Sequence, residues 1–278
     1  MNSKVVLVTG CSSGIGRSLC LEYSRRGYRV TGTSRRADKP ELLGEAGVTV
    51  ERLDVNDALS AAKVVEDVLH REGRIDILVN NAGFGLFAPM LDLSDDDLAG
   101  QFNTNVFAPI RLAKLVAPAM KTQGSGLIVN IGSISGVVTT PFAGAYCGSK
   151  AALHAVTDAL RMELAPFGIR VMSVQPGGIM SEFGNNSLRK TEQVLTTNSW
   201  YHSVAHSIKA RARVSQAGAM PGELFAKRLV SLTERAIPPA IVRIGSKSFS
   251  LPFLKAVLPA SLLDALLSKR FGLSDVVL

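Results

Sequence analysis

Short apolar runs alternate along the chain with longer segments whose apolar residues recur at helical spacing. "KVVLVT" (4–9), "YRVTGTS" (28–34), "VTVERLDV" (48–55), "IDILVN" (75–80), "GLIVNIG" (126–132), "IRVMSVQPG" (169–177) and "AIVRIG" (240–245) read as strands. Most are nearly continuous apolar runs, the pattern of strands covered on both faces. Between them, residues 15–27, 58–73, 94–121, 150–168 and 221–235 read as helices. The third opens on Ser94 followed by acids in its first turn, and the last carries Pro221 at its start; both are helix-start signals. This alternation predicts an α/β fold, a doubly wound parallel sheet of about seven strands with helices on both faces. No domain boundary or internal repeat interrupts residues 1–278, so one domain is expected. Two segments depart from the alternation. Residues 184–219 read as a substrate lid, and residues 246–278 as a C-terminal extension.

Composition narrows the class. With 46% apolar and 19% charged residues, the chain is globular rather than disordered. The net charge of +8 comes from dispersed bases, with local excesses in 185–219 and 236–278. No nucleic-acid motif accompanies them, so an anionic small ligand is expected and nucleic acid is not. The cysteines, Cys11, Cys20 and Cys147, are odd in number and lack framework spacing. That argues for a reducing compartment. The N-terminus enters a strand with no apolar leader, so a cytoplasmic location is expected. From Thr122 to Ser149 there is no Asp, Glu, Lys, Arg or His. Asn130, Pro141 and scattered glycines exclude a membrane span there.

The candidate chemistry begins with "TGCSSGIG", Thr9 to Gly16, between the first strand and the first helix. Glycines there let the backbone approach a pyrophosphate, and the helix start supplies free N–H groups. Gly10, Ser12, Ser13, Gly14, Ile15 and Gly16 are the candidate contacts. Here the sequence resembles the short-chain dehydrogenase/reductase family, whose first motif is T-G-x-x-x-G-x-G. The other motifs of the family follow in order: "NNAG" (80–83), Asn105 in "NTNVFAP", Ser133 in "NIGSISG", Tyr146 and Lys150 in "YCGSK", and "PGGIMS". In the last, Ser181 stands where threonine is usual. The resemblance covers roughly residues 4–183. It implies a Rossmann-type dinucleotide domain and an oxidoreductase. It also implies cofactor contacts from Asn81, Ala82, Gly83, Tyr146, Lys150, Pro176, Gly177, Ile179 and Ser181.

The dinucleotide is read from the end of the second strand, "TSRRADK". Ser34 lies near the position where an acid would bind the ribose hydroxyls of NAD, and Arg35 and Arg36 follow it. Guanidinium forks suit a phosphate, so NADP(H) is expected in preference to NAD(H). A solvated surface loop is the bland alternative. "LDV" resembles the family's adenine contact through Asp54 and Val55; a paired loop aspartate is the alternative there.

Tyr146 and Lys150 lie four apart, one turn along a helix face. A free tyrosine titrates near ~10, and a neighbouring ammonium in neutral surroundings is expected to lower that. The resemblance implies that Tyr146 exchanges a proton with the reacting oxygen, Ser133 hydrogen-bonds that oxygen, and Lys150 acts on Tyr146 and the nicotinamide ribose. Asn105 would hold a relay water. Phe142 and Phe183, with Ser133 and Tyr146, are the candidate substrate contacts. His202 and His206 lack an evident third ligand, so no metal is expected.

The overall look is similar to the family branch that holds 17β-hydroxysteroid dehydrogenases, retinol dehydrogenases and acyl-dihydroxyacetone-phosphate reductases. It implies a small lipophilic carbonyl or alcohol as substrate. The bases of the lid suit a phosphate head group, which makes the lipid reductase the alternative; a non-catalytic NADPH-binding sensor is another. The resemblance also implies a homodimer or homotetramer through the helices at 94–121 and 150–168. Three roles fit the amphipathic, basic tail: docking on its own domain, pairing with a second subunit, or peripheral membrane contact.

Overall fold

A computed structural model describes residues 3–35 and 41–276. Seven strands form one parallel sheet: β1 (Val5–Thr9), β2 (Arg29–Ser34), β3 (Thr49–Arg52), β4 (Ile77–Asn80), β5 (Gly126–Ile131), β6 (Ile169–Pro176) and β7 (Ile241–Ile244). Their order is β3-β2-β1-β4-β5-β6-β7, every neighbour parallel. The order reverses between β1 and β4. At that point the crossovers leave by opposite faces and open a crevice beyond the strands' carboxyl ends.

The helices are α1 (Gly14–Arg25), α2 (Glu41–Glu45), α3 (Ala58–Glu72), α4 (Asp95–Phe102), α5 (Ala108–Thr122), α6 (Gly144–Leu164), α7 (Phe183–Val194), α8 (Ala205–Arg213), α9 (Gly222–Thr233), α10 (Ser250–Val257) and α11 (Ala260–Arg270). Successive strand residues point to opposite faces. Val6, Val8, Val79 and Val174 thus meet Leu19, Tyr23, Phe225 and Leu229 of α1 and α9. Leu7, Leu78, Ile128 and Val171 meet Val64, Val68, Leu112 and Val116 of α3 and α5 on the other. Both faces are therefore dry, which explains the near-continuous apolar strands. The Tyr23 hydroxyl, 3.0 Å from Thr233 Oγ1, ties α1 to α9 inside one layer.

Two sequence expectations need correction. The single helix read over 94–121 is broken by a π-helical turn at Asn103–Phe107. Pro109 has no N–H to give to the Asn105 carbonyl four residues earlier, so the regular ladder cannot run through this point. The lid, read as a loop, folds largely into α7 and α8. The tail carries α10 and α11, and its Leu267 and Phe271 pack against Phe142, Val204 and Ile208. Of the three roles open to the tail, docking on its own domain is realised. The short helix α2 had no signal in the periodicity. Among the described residues, no helix is long and apolar enough to cross a membrane.

Candidate active site

β1 feeds directly into the turn before α1. Gly10 and Gly14 have φ of +74° and +55°, in the left-handed region that favours glycine. A Cβ on Gly16 would collide with the Gly10 carbonyl, and one on Gly14 would come within 2.7 Å of Ser181 Cβ. Ser13 is the N-cap of α1, yet its side chain caps nothing, so the first N–H groups of the helix are left to a ligand. The residues present therefore fit a bound pyrophosphate.

The turn is braced from β4. Asn81 Nδ2 donates to the carbonyls of Thr9 (2.8 Å) and Gly10 (3.1 Å), and the amides of Asn81 and Ala82 donate to Thr9 Oγ1 at 3.0 Å. Asn81 thus holds the shape of the turn. Arg35 follows β2 and is exposed, whereas Ser34 is buried at the strand end. Arg36 lies outside the described residues. Asp54 accepts from the Asn56 amide at 3.0 Å, and Arg111 donates to the Val55 carbonyl at 2.7 Å. The Leu53 amide donates to the Ser34 carbonyl at 2.9 Å, which sets Asp54 and Val55 beside the end of β2.

The second half of the site lies past β5. Ser133 follows that strand, and its Oγ accepts from the Ser135 amide at 3.0 Å. Tyr146 and Lys150 sit on the first turns of α6, both buried. Lys150 Nζ donates to the Ile131 carbonyl at 2.8 Å. Asn105, on the π turn, donates through Nδ2 to the Phe84 carbonyl and to Ser149 Oγ, each at 3.0 Å; its Oδ1 accepts from the Phe84 amide. A Cβ on Gly83 would stand 3.1 Å from Asn105 Oδ1 and 3.7 Å from Lys150 Nζ. The glycine thus lets "NNAG", Asn105 and Lys150 converge.

Burial pushes the Tyr146 hydroxyl up to about 12, and the charge of nearby Cys147 adds to this; hydrogen bonding to Ser133 and the charge of Arg211 pull it down. Burial alone takes Lys150 down to about 8. The sequence leads one to expect a tyrosine depressed by its lysine. In the structure burial outweighs every opposing influence, the Lys150 ammonium is turned to Ile131, and the cation that acts on the hydroxyl is Arg211. The neutral surroundings desolvate both groups, which is why each shifts toward its uncharged form.

The profile of the short chain dehydrogenase family matches residues 4–192. The chain belongs to the short-chain dehydrogenase family. It is 33% identical to a 3-ketodihydrosphingosine reductase of Bacteroides thetaiotaomicron over 88% of this chain and 89% of that one. It is 37% identical to the NADPH-dependent 1-acyldihydroxyacetone phosphate reductase of Schizosaccharomyces pombe over 72% of this chain and 68% of the relative. Among solved structures, a short-chain dehydrogenase from Streptomyces avermitilis superposes with a TM-score of 0.80 at 29% identity, covering 98% of both chains.

The segment after β6 returns to the phosphate turn and to Tyr146. Pro176 ends β6, the Gly177 amide donates to the Ile244 carbonyl, and Ile179 bridges Met220. Ser181 faces Gly14 across the turn, and its Oγ accepts from the Phe183 amide at 3.4 Å. Phe183 then packs on Tyr146 (ring centroids 5.6 Å), and Phe87 completes a three-ring cluster, 5.5 Å from Tyr146 and 6.4 Å from Phe183. Phe142 lies apart from these rings, edge-on to Tyr201 at 5.7 Å, at a φ of +61° that strains a phenylalanine. It anchors the lid and tail.

Several residues were not legible as functional from the sequence. His154 Nε2 accepts from the Ser133 amide at 3.4 Å; burial, then the Lys150 charge, lower its ring to about 4, so it is a neutral acceptor. Its spacing one turn past Lys150 was the available signal. Gln101 braces the Phe84–Leu86 backbone by two bonds, from the Leu86 amide (2.9 Å) and to the Phe84 carbonyl (2.8 Å). Asn80, Asn130 and Thr157 form a buried polar chain linking β4, β5 and α6. Arg211, on the lid, is buried beside Tyr146 and Cys147.

Proposed function

We propose that the protein is an NADP(H)-dependent oxidoreductase that interconverts a carbonyl and an alcohol on a lipophilic substrate. The observation that carries this reading is Tyr146: buried in a cluster with the rings of Phe87 and Phe183, within reach of Ser133, and one helical turn from Lys150. NADP(H) is favoured because β2 ends in Ser34 rather than a carboxylate, and the exposed Arg35 follows it. The NADPH dependence stated for the fission-yeast relative supports the same choice.

When bound, the nicotinamide supplies or accepts the hydride. Tyr146, titrating at about 12, keeps its proton at neutral pH and is poised to give it to a carbonyl oxygen. Ser133 Oγ, which accepts from the Ser135 amide and hydrogen-bonds Tyr146, is placed to orient that oxygen. Lys150 would hold the ribose of a bound nicotinamide, and Asn105 fixes the Phe84 backbone. Phe87 and Phe183 give the reacting carbon an apolar, water-poor wall. The burial of Tyr146 means that α7 must move aside for substrate to enter.

The reading extends to partners. Phe107, at the end of the π turn, and Met162, on α6, are exposed on the helices that the family resemblance assigns to subunit pairing. The tail docks by one side only: Phe249, Phe253, Val257, Leu262 and Leu266 face outward near Lys255 and Lys269. This surface suits peripheral contact with an anionic bilayer.

The test is NADPH- and NADH-linked reduction of a panel of ketosteroids, retinal, long-chain aldehydes and an acyl-dihydroxyacetone phosphate. NADPH-preferring turnover of a lipophilic class supports the proposal. Tight NADPH binding with no turnover of any member contradicts it in favour of a sensor.

A further inference from the structure

Arg211 is 7% exposed and takes part in no ion pair among the described residues. Its Nε donates to Thr140 Oγ1 at 2.9 Å, and the two terminal nitrogens of the fork have no protein partner among the described residues. The guanidinium carbon stands over two rings, 4.7 Å from the Phe87 centroid and 5.3 Å from the Phe271 centroid. Such contacts offset part of the desolvation of a cation. They do not replace a counter-ion, since a buried unpaired charge is costly.

The same residue lines a cleft of about 280 Å³ between α8 and the end of α11. Its other walls are Ser207, Ala210, Val214, Arg270 and Phe271. A second guanidinium therefore faces the first, and Arg270 also has no ion pair among the described residues. The like charges repel: Arg270 helps to lower Arg211 below its ordinary value, after burial, which contributes most. The cleft's polar lining is two guanidinium groups and one hydroxyl, with no carboxylate among its walls. Phe87 links it to the chemistry, since one face of its ring meets Arg211 and the ring also packs on Tyr146.

We propose that this cleft binds the anionic head, a phosphate monoester or a carboxylate, of the substrate whose reacting carbon lies at Tyr146. Arg211 takes the head with its planar fork and Arg270 neutralises it from the opposite wall. Ser207 donates a third hydrogen bond. The apolar remainder of the substrate runs along Phe87 and Phe183. This inference rests on the oxidoreductase reading for the word substrate, but not for the anion site itself.

The test measures binding rather than turnover. Decyl phosphate, decanoate, decanol and inorganic phosphate are titrated calorimetrically into the full chain, with and without NADPH. The proposal predicts that decyl phosphate or decanoate binds at least roughly 10-fold tighter than decanol. Arg211→Met and Arg270→Met should each remove most of that preference, as loss of one charge-assisted bond implies. Arg211→Lys, which keeps the charge in case the methionine variant fails to fold, should bind with intermediate strength because the fork is lost. Equal binding of decyl phosphate and decanol, or an unchanged preference in Arg270→Met and Arg211→Lys, overturns the proposal. Inorganic phosphate binding as tightly as decyl phosphate also overturns it, because the cleft would then hold a free anion. Failure of the oxidoreductase reading would show separately, as absent turnover with these affinities intact.

Discussion

Replacing Lys150 by methionine removes a buried ammonium while keeping most of its volume. Burial depresses this lysine from its ordinary 10.5 to about 8. The folded protein therefore binds fewer protons than the unfolded chain between those values. The resulting cost to folding is full below about 8 and fades as pH rises through 10.5. At ~1.4 kcal/mol per pH unit, the cost is about 3 kcal/mol near pH ~7 and about 1.4 kcal/mol near pH ~9.5. Lys150→Met escapes it at both. The variant also leaves the Ile131 carbonyl without its 2.8 Å donor, but that penalty is the same at every pH. His154, which feels the Lys150 charge, titrates at about 4, outside the window. The stability of the variant minus that of wild type should thus fall by about 2 kcal/mol between those two conditions. Urea unfolding of the cofactor-free proteins, followed by circular dichroism, measures it. A difference that does not change with pH would refute the view that Lys150 is held ionised against its surroundings.

Other residues make equally specific predictions. Arg35→Glu should weaken NADPH binding roughly 10-fold or more while leaving NADH within a few-fold, by fluorescence titration, because it removes a phosphate partner and adds a repelling charge. Gly16→Ala should abolish binding of both dinucleotides, since its Cβ meets the Gly10 carbonyl; calorimetry on protein whose far-ultraviolet spectrum is retained checks this. The double variant Phe249→Ser, Phe253→Ser should lose flotation with phosphatidylserine liposomes and keep its melting temperature within about 2 °C, because both rings are two-thirds exposed, at 66% and 65%.

Much of the sheet and the outline of the site could be read from residue pattern and motif order. Strands such as "KVVLVT" are apolar on both faces because helices cover both, and that leaves a direct trace in sequence. Tyr146, Lys150, Ser133 and Asn105 sit at motif positions, so their convergence was foreseeable. What escaped depends on neighbours distant in the chain. The π turn at Asn103–Phe107 hides inside a good amphipathic helix, with Pro109 as its one local hint. Helix α7 begins "FGNNSLRK", whose glycine and asparagines favour turns, and it is held by α8 rather than by its own propensity. The titration of Tyr146 went the other way from a reading based on spacing. A sequence shows that Lys150 is near, but not that burial outweighs it or that Arg211, sixty-five residues on, folds back beside the ring.

The central claim is that Tyr146 passes the proton in an NADPH-linked carbonyl reduction. It is tested most directly by comparing wild type with Tyr146→Phe, on whichever panel substrate wild type reduces fastest. The account predicts a loss of kcat of at least roughly 100-fold with the dissociation constant for NADPH unchanged within about 2-fold, because only the proton-bearing oxygen is removed. Near-wild-type kcat in the phenylalanine variant, with the same cofactor affinity, would contradict it.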